Sequence, residues 1–214
     1  MARIVIFGGT GYSGGNIARE AVGRGHHVVS YSRSEPVEPI DGVEYRLGSM
    51  ADPAVVEAAA DGADQLVVAV QARDVDGRPM VGHVPTLIEA ACRHGARLSF
   101  VGGAGSSLVT EGGPRLVDSP DFHDDWKPEA LAHADVLEAL RQGPEDLDWF
   151  YVSPAALYGS FAPGETTGLY RTGGDVLVTQ EDGSSEISGT DLATAYVDEI
   201  ETPAHPRQRF TVGH

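Results

Sequence analysis

The sequence predicts an α/β protein built on a doubly wound parallel sheet with helices on both faces. Three observations carry that prediction. The chain opens on a short apolar run, Ile4 to Phe7, which breaks into glycines and then into a helical pattern. Strand-like and helix-like segments then alternate along nearly the whole length. One later run, Asp64 to Val70, stays apolar without alternation from Leu66 onward, as a central strand covered on both faces requires.

Ile4 to Phe7 reads as a buried strand, and Asn16 to Val22 as a helix with Ile17, Ala21 and Val22 on one face. Between them stands Gly8-x-x-Gly11-x-x-Gly14. Gly8 lets the chain turn tightly off the strand, where a side chain would force a forbidden backbone angle. Gly11 removes a Cβ where the backbone must approach a pyrophosphate, and Gly14 lets the helix begin close against the sheet. Thr10, Tyr12 and Ser13 add side-chain donors beside a helix N-terminus whose unpaired N–H groups suit a phosphate. The spacing is looser than G-x-G-x-x-G, and its place between a strand and a helix is what gives it weight. Strand, glycine turn and helix make the first half of a dinucleotide-binding unit, so the expected fold is Rossmann-like.

Val28 to Tyr31 is the second strand, and Ser32-Arg33-Ser34 leave its tip. An acid here would hold the ribose 2′-hydroxyl of NAD, whereas an arginine accommodates the 2′-phosphate of NADP. Arg33 stands at the tip without an acid, so NADP(H) is expected over NAD(H), with Glu35 as the alternative ribose contact. Val43 to Leu47 is a third strand. Asp52 and Pro53 then cap a helix from Ala54 to Ala60. Ser49 and Met50 fall nearer the adenine edge. Asp64 to Val70 is the fourth strand. Val70 and Gln71 leave its carboxyl end, where ligands of open α/β sheets sit. Arg73 to Arg78 reads as a surface loop. The following helix carries Val81, Val84, Ile88 and Ala91, with Pro85 restricted to its first turn or a kink.

Arg97 to Val101 is the fifth strand, and Gly102 opens a loop expected to face the nicotinamide. Ser106 and Ser107 are the hydroxyls best placed there to polarise a carbonyl, although serines after glycines are also ordinary loop composition. Asp118 to Asp125 is an acidic surface or lid segment. Its His123 is weighed as a proton donor against a merely solvated role. No spacing in this cluster supports a metal, and none is expected. Glu129 to Leu140 is helical, with Leu131, Ala134, Leu137 and Leu140 in register. Leu147 to Val152 is the sixth strand, and Pro154 and Tyr158 follow on the nicotinamide side. The turn-rich stretch from Pro163 to Arg171, with Tyr170, begins a substrate region. Residues 155–190 of a single 1–214 domain supply most of that region. Ser188 to Asp191 cap a last helix, Leu192 to Ile200, and Arg209 to Val212 closes as a strand.

A net charge of −17 over 214 residues argues against nucleic acid and anionic membranes as partners. No apolar stretch approaches the ~20 residues of a membrane span, and no signal peptide is read. The single cysteine, Cys92, allows neither an intrachain disulfide nor a cysteine-type zinc site. A reducing, cytoplasmic setting is expected, with the protein acting on a small molecule as a monomer or homodimer.

Five segments together resemble one family: Gly8 to Gly14, Val101-Gly102-Gly103-Ala104-Gly105-Ser106, Asp148 to Pro154, Pro163 to Arg171, and Ser188 to Ala193. They are similar to the atypical short-chain dehydrogenase/reductases grouped with NADH-flavin reductases, biliverdin-IXβ reductase-like and NmrA-like proteins. The likeness covers essentially the whole chain. It implies a Rossmann sheet with a small C-terminal substrate region and an NAD(P)H cofactor. It also implies hydride transfer from NADPH to a flavin, quinone or carbonyl-type acceptor, bound among Ser106, Ser107, Tyr158 and Tyr170. One feature departs from the wider superfamily. The Tyr-x-x-x-Lys pair is absent, and the corresponding helix start reads Trp126-Lys127-Pro128-Glu129-Ala130. Flavin reduction does not need that pair, because the flavin is itself a good hydride acceptor. Two other readings stay open: an NmrA-like redox sensor that binds NADP(H) without turnover, and a pathway-specific ketoreductase, epimerase or dehydratase.

Overall fold

A computed structural model describes residues 1–214. Along the chain run β1 (Arg3–Phe7), α1 (Tyr12–Gly23), β2 (His27–Ser32), β3 (Val43–Leu47), α2 (Pro53–Ala60), β4 (Gln65–Val68) and α3 (Val84–His94). They are followed by β5 (Arg97–Val101), α4 (Lys127–Arg141), β6 (Trp149–Ser153), β7 (Arg171–Gly173), α5 (Gly189–Glu201) and β8 (Gln208–Gly213). All strands join one sheet in the order β3-β2-β1-β4-β5-β6-β8-β7. Every pairing is parallel except that of β7 with β8. The strand order reverses between β1 and β4, which opens a crevice above their carboxyl ends.

The central strands feed two core layers, because successive side chains point to opposite faces. Val5 and Phe7 of β1 pack with Leu66 and Val68 of β4 under α2, α3 and α4. Ile4 and Ile6 pack with Val67 under α1 and α5, against Ile17, Ala21, Leu192 and Tyr196. This explains why these strands carry no polar alternation. At the amino end of the sheet, Glu199 of α5 is tied to Arg97 of β5 at 2.7 Å, and both side chains are buried.

Most elements fall within two residues of their sequence-based bounds; α5 starts at Gly189, three residues before the expected Leu192, the short edge strand β7 is not among the sequence-based strands, and three further points have physical reasons. Helix α1 begins at Tyr12, four residues before Asn16, because Gly14 and Gly15 belong to the helix. A Cβ on Gly14 would lie 2.3 Å from the Gly8 carbonyl oxygen, so only glycine lets the helix start this close to the turn. Strand β4 ends at Val68, and Val70 has already left the sheet toward the crevice. In α4 the inner face is Ala130, His133, Val136, Leu137 and Leu140, while Leu131 is exposed. The first turns of that helix border the crevice, and polar residues face inward there. Asp52 caps α2 as expected, accepting from the Ala54 amide at 2.9 Å.

Candidate functional site

A cleft of about 550 Å³ runs over the carboxyl ends of β1, β2, β4 and β5. Its middle is the glycine turn. Gly8 has φ +93°, and a Cβ there would lie 2.5 Å from the Ala69 carbonyl oxygen. Gly11 is the N-cap of α1. The amides of Tyr12, Ser13 and Gly14 find no backbone acceptor, as in any first helical turn. Thr10, Gly11, Tyr12 and Ser13 line the cleft, while Gly14 packs behind them on Gly8. The Tyr12 hydroxyl is engaged elsewhere, donating to the Pro163 carbonyl at 3.4 Å and accepting from the Gly189 amide at 3.1 Å. Free amides, a positive helix end and a cradle that a Cβ would fill suit the pyrophosphate of a dinucleotide.

One end of the cleft is bordered by Tyr31, Ser32, Arg33, Ser34, Ser49 and Met50. The Arg33 side chain is 73% exposed, with Nη1 at 3.1 Å from Asp76 Oδ1. Ser49 Oγ donates to the other oxygen of the same carboxylate. Glu35 is exposed and does not line the cleft.

The other end is bordered by Val70, Gln71, Val101, Gly102, Glu129, His133, Tyr158 and Ser160. A Cβ on Gly102 would lie 2.0 Å from the Tyr151 ring, so the floor here is bare backbone. Glu129 accepts from the amides of Ala72 at 2.5 Å and Arg73 at 3.0 Å, and sits 3.2 Å from His133 Nε2. Burial pushes the Glu129 carboxyl up. Hydrogen bonds from His133 and the two amides outweigh that and hold it below its ordinary value. An ionised carboxylate only accepts, so His133 Nε2 is the donor of this pair. His133 Nδ1 is buried without a partner.

Of the four hydroxyls expected around an acceptor, Tyr158 alone lines this cleft. Its hydroxyl donates to Ser13 Oγ at 2.8 Å, and burial pushes the phenol well above its usual range. Ser107 is fully buried and accepts from Arg209 at 3.1 Å; that guanidinium also binds Ser153 and Asp175. A buried guanidinium requires such oxygens, which is why the serine turns inward. Ser106 ends a short 3₁₀ turn, Ala104–Ser106, and its Oγ is buried without a partner. Tyr170 donates to Asp198 at 2.5 Å on the α5 side, where burial and the acid push its phenol up to about 12. Pro154 is buried and does not line the cleft. His123 is exposed and accepts from the Asp125 amide.

Glu129 and His133 are the functional candidates that sequence reading missed. Two polar residues four apart in the first turns of the helix, ahead of the apolar inner face of Val136, Leu137 and Leu140, were the available signal, since that spacing places both on one face. It is also the spacing of the missing Tyr-x-x-x-Lys pair.

Fold and cleft together have the architecture of a dinucleotide-binding α/β protein. The chain belongs to the NAD(P)H-binding family, whose pattern matches residues 8–203. A Burkholderia pseudomallei structure, provisionally described as an exported protein, is 39% identical with TM-score 0.87 and 100% of both chains covered. A Streptococcus pneumoniae protein provisionally named an NADH-flavin reductase is 31% identical, TM-score 0.83, again over 100% of both chains. A Bacteroides thetaiotaomicron protein provisionally named an epimerase is 30% identical, TM-score 0.86, over 100% of this chain and 97% of that one. No helix is long and apolar enough to cross a membrane.

Proposed function

We propose that this protein is an NADPH-dependent reductase that passes hydride to a flat conjugated small molecule, a free flavin or a quinone, in preference to an aliphatic carbonyl compound. One observation carries the reading: an exposed aromatic pair beside the Glu129 end of the cleft. Trp126 and Phe161 stack with centroids 6.2 Å apart and planes at 29°, and they are 53% and 69% exposed. Phe161 follows cleft-lining Ser160, and Trp126 lies one turn before Glu129. Large aromatic rings left in water at the mouth of a cleft suit a planar ligand. The name of the Streptococcus relative points the same way.

The free amides at the start of α1, with Thr10 and Ser13, would hold the pyrophosphate. Arg33, Ser32 and Ser49 would hold the adenosine 2′-phosphate, beside Met50. The nicotinamide would then lie toward Gly102, Glu129, His133 and Tyr158. The bound cofactor supplies the hydride. The chain's own part is to hold, orient and exclude water, which suffices for an acceptor as reactive as a flavin. Tyr158, its phenol kept protonated by burial, offers a neutral hydroxyl at this end. We place the activity in the cytoplasm, on a small-molecule acceptor, with the protein a monomer or homodimer.

NADPH oxidation measured with FMN, menadione and an aliphatic aldehyde tests this reading. Flavin and quinone should turn over and the aldehyde should not. Trp126→Ala and Phe161→Ala should each lower kcat/KM for FMN about three- to tenfold, the worth of one aromatic contact, with unchanged NADPH affinity. An aldehyde turned over as well as FMN, or no oxidation with any acceptor despite tight NADPH binding, overturns the proposal.

A further inference from the structure

The segment between β4 and α3 is tied down on both sides of the cleft. At its start, the Ala72 and Arg73 amides are held by Glu129. In its middle, Val75 pairs with Arg78 in an antiparallel bridge, the Gly77 amide donates to Asp74 at 2.7 Å, and Val75 is buried. Asp74 and Val75 line the cleft. At the tip stands Asp76 with φ +51°, one of two non-glycine residues in the left-handed region. Aspartate and asparagine tolerate that conformation better than other side chains.

The turn aims the Asp76 carboxylate at the tip of β2. Oδ1 lies 3.1 Å from Arg33 Nη1, and Oδ2 accepts from Ser49 Oγ. The Ser49 hydroxyl and then the Arg33 guanidinium hold this carboxyl below its ordinary value. A guanidinium and a hydroxyl converging on one anion at this strand tip are the donors that a 2′-phosphate would use. In this structure they hold an anion that belongs to the chain itself.

We infer that Asp76 is a built-in competitor for the 2′-phosphate of NADPH. Its carboxylate fills the anion seat formed by Arg33 and Ser49 and must leave before the phosphate enters. NADH carries no such phosphate and meets no competitor. Asp76 is therefore a specificity-determining residue that narrows the preference for NADPH over NADH. The inference rests on the proposed reading that NADPH binds this cleft with its 2′-phosphate at Arg33.

Calorimetric titration with NADPH, NADH and adenosine 2′-monophosphate, on wild type, Asp76→Asn and Arg33→Ala, separates the two claims. Asparagine keeps the length, the tolerance of positive φ and one acceptor oxygen for Ser49, and removes the charge together with the acceptor that faces Arg33. The D76N variant should bind NADPH and adenosine 2′-monophosphate about five- to tenfold tighter, as expected when a charge-assisted contact is freed, and NADH within about twofold of wild type. The R33A variant should lose most of the NADPH preference. If R33A leaves that preference intact, the reading of the phosphate seat fails and Asp76 has nothing to compete with. If R33A loses the preference but D76N leaves NADPH binding unchanged or weaker, the seat stands and the competitor is overturned; Asp76 then only positions Arg33. Tighter binding of NADPH and NADH by the same factor also overturns it, because a loop effect would then replace competition for the phosphate.

Discussion

Glu129 and Glu199 sit at opposite ends of the sheet and are gripped in nearly the same way. Each accepts from two successive backbone amides, Ala72 and Arg73 for Glu129, Ala204 and His205 for Glu199. Each also meets a histidine, His133 Nε2 at 3.2 Å and His205 Nδ1 at 2.8 Å. The difference is Arg97, whose Nη2 lies 2.7 Å from Glu199 and which has no counterpart at Glu129. Glu199 is 3% exposed, and Glu129 is 33% exposed at the edge of the cleft. A fully enclosed carboxylate must be neutralised, because an unpaired charge in the interior is expensive. A carboxylate beside an open cleft can do without a guanidinium. The same motif thus serves as a structural knot at one end and borders the cleft at the other.

The largest expected effect is at the knot. Glu199→Ala leaves the Arg97 guanidinium buried and uncompensated, which should cost about 3–5 kcal/mol in urea unfolding. Its affinity for NADPH, measured at a temperature where it stays folded, should match wild type. Glu129→Ala strands two amides that water can partly reach, so about 1–3 kcal/mol is expected there. The diagnostic consequence is different: residues 72–76 lose their anchor, and NADPH binding should weaken. The comparison breaks if Glu199→Ala impairs binding as much as stability, or if Glu129→Ala costs as much stability as Glu199→Ala and leaves binding untouched.

What the sequence disclosed followed the range of the contacts and not the end of the sheet. The glycine turn, the Asp52 cap on α2 and the Ser188 cap on α5 are local features, and each depends on residues within a few positions of one another. The parallel sheet followed from the same local pattern, since apolar runs without alternation imply strands covered on both faces. The Glu129 end is assembled from residues far apart in sequence. Glu129 holds amides 57 and 56 positions earlier, and Tyr158 meets Ser13 across 145 positions. Loop composition could not show that Ser107 turns inward, because its partner Arg209 lies 102 residues further on. Tyr170 was legible as a hydroxyl near the substrate region, but its acid partner Asp198 was not. Asp76 read as one charge in a solvated loop; only the folded chain brings it to Arg33.

The smallest expected effect is the pH dependence, and it sharpens the same contrast. Burial raises both carboxyls. For Glu199, Arg97 and His205 outweigh that; for Glu129, His133 and the amides do, so both sit below their ordinary 4.5 in the folded protein. A folded-state value below the unfolded one means that the unfolded chain binds the proton more tightly. Each carboxylate therefore contributes stability that is fully present above about pH 4.5 and is lost as the pH falls through the folded-state value. Replacing Glu199 by glutamine removes that share. Unfolding free energy of the variant, followed by urea titration from neutral pH downward, should start lower than wild type and decline less steeply below about pH 4.5. Glu129→Gln should flatten the profile less, because solvent screens a group that is one-third exposed. Equal flattening by both substitutions would mean that Arg97 adds nothing to the knot, and the distinction between the two glutamates would then rest on the cleft alone.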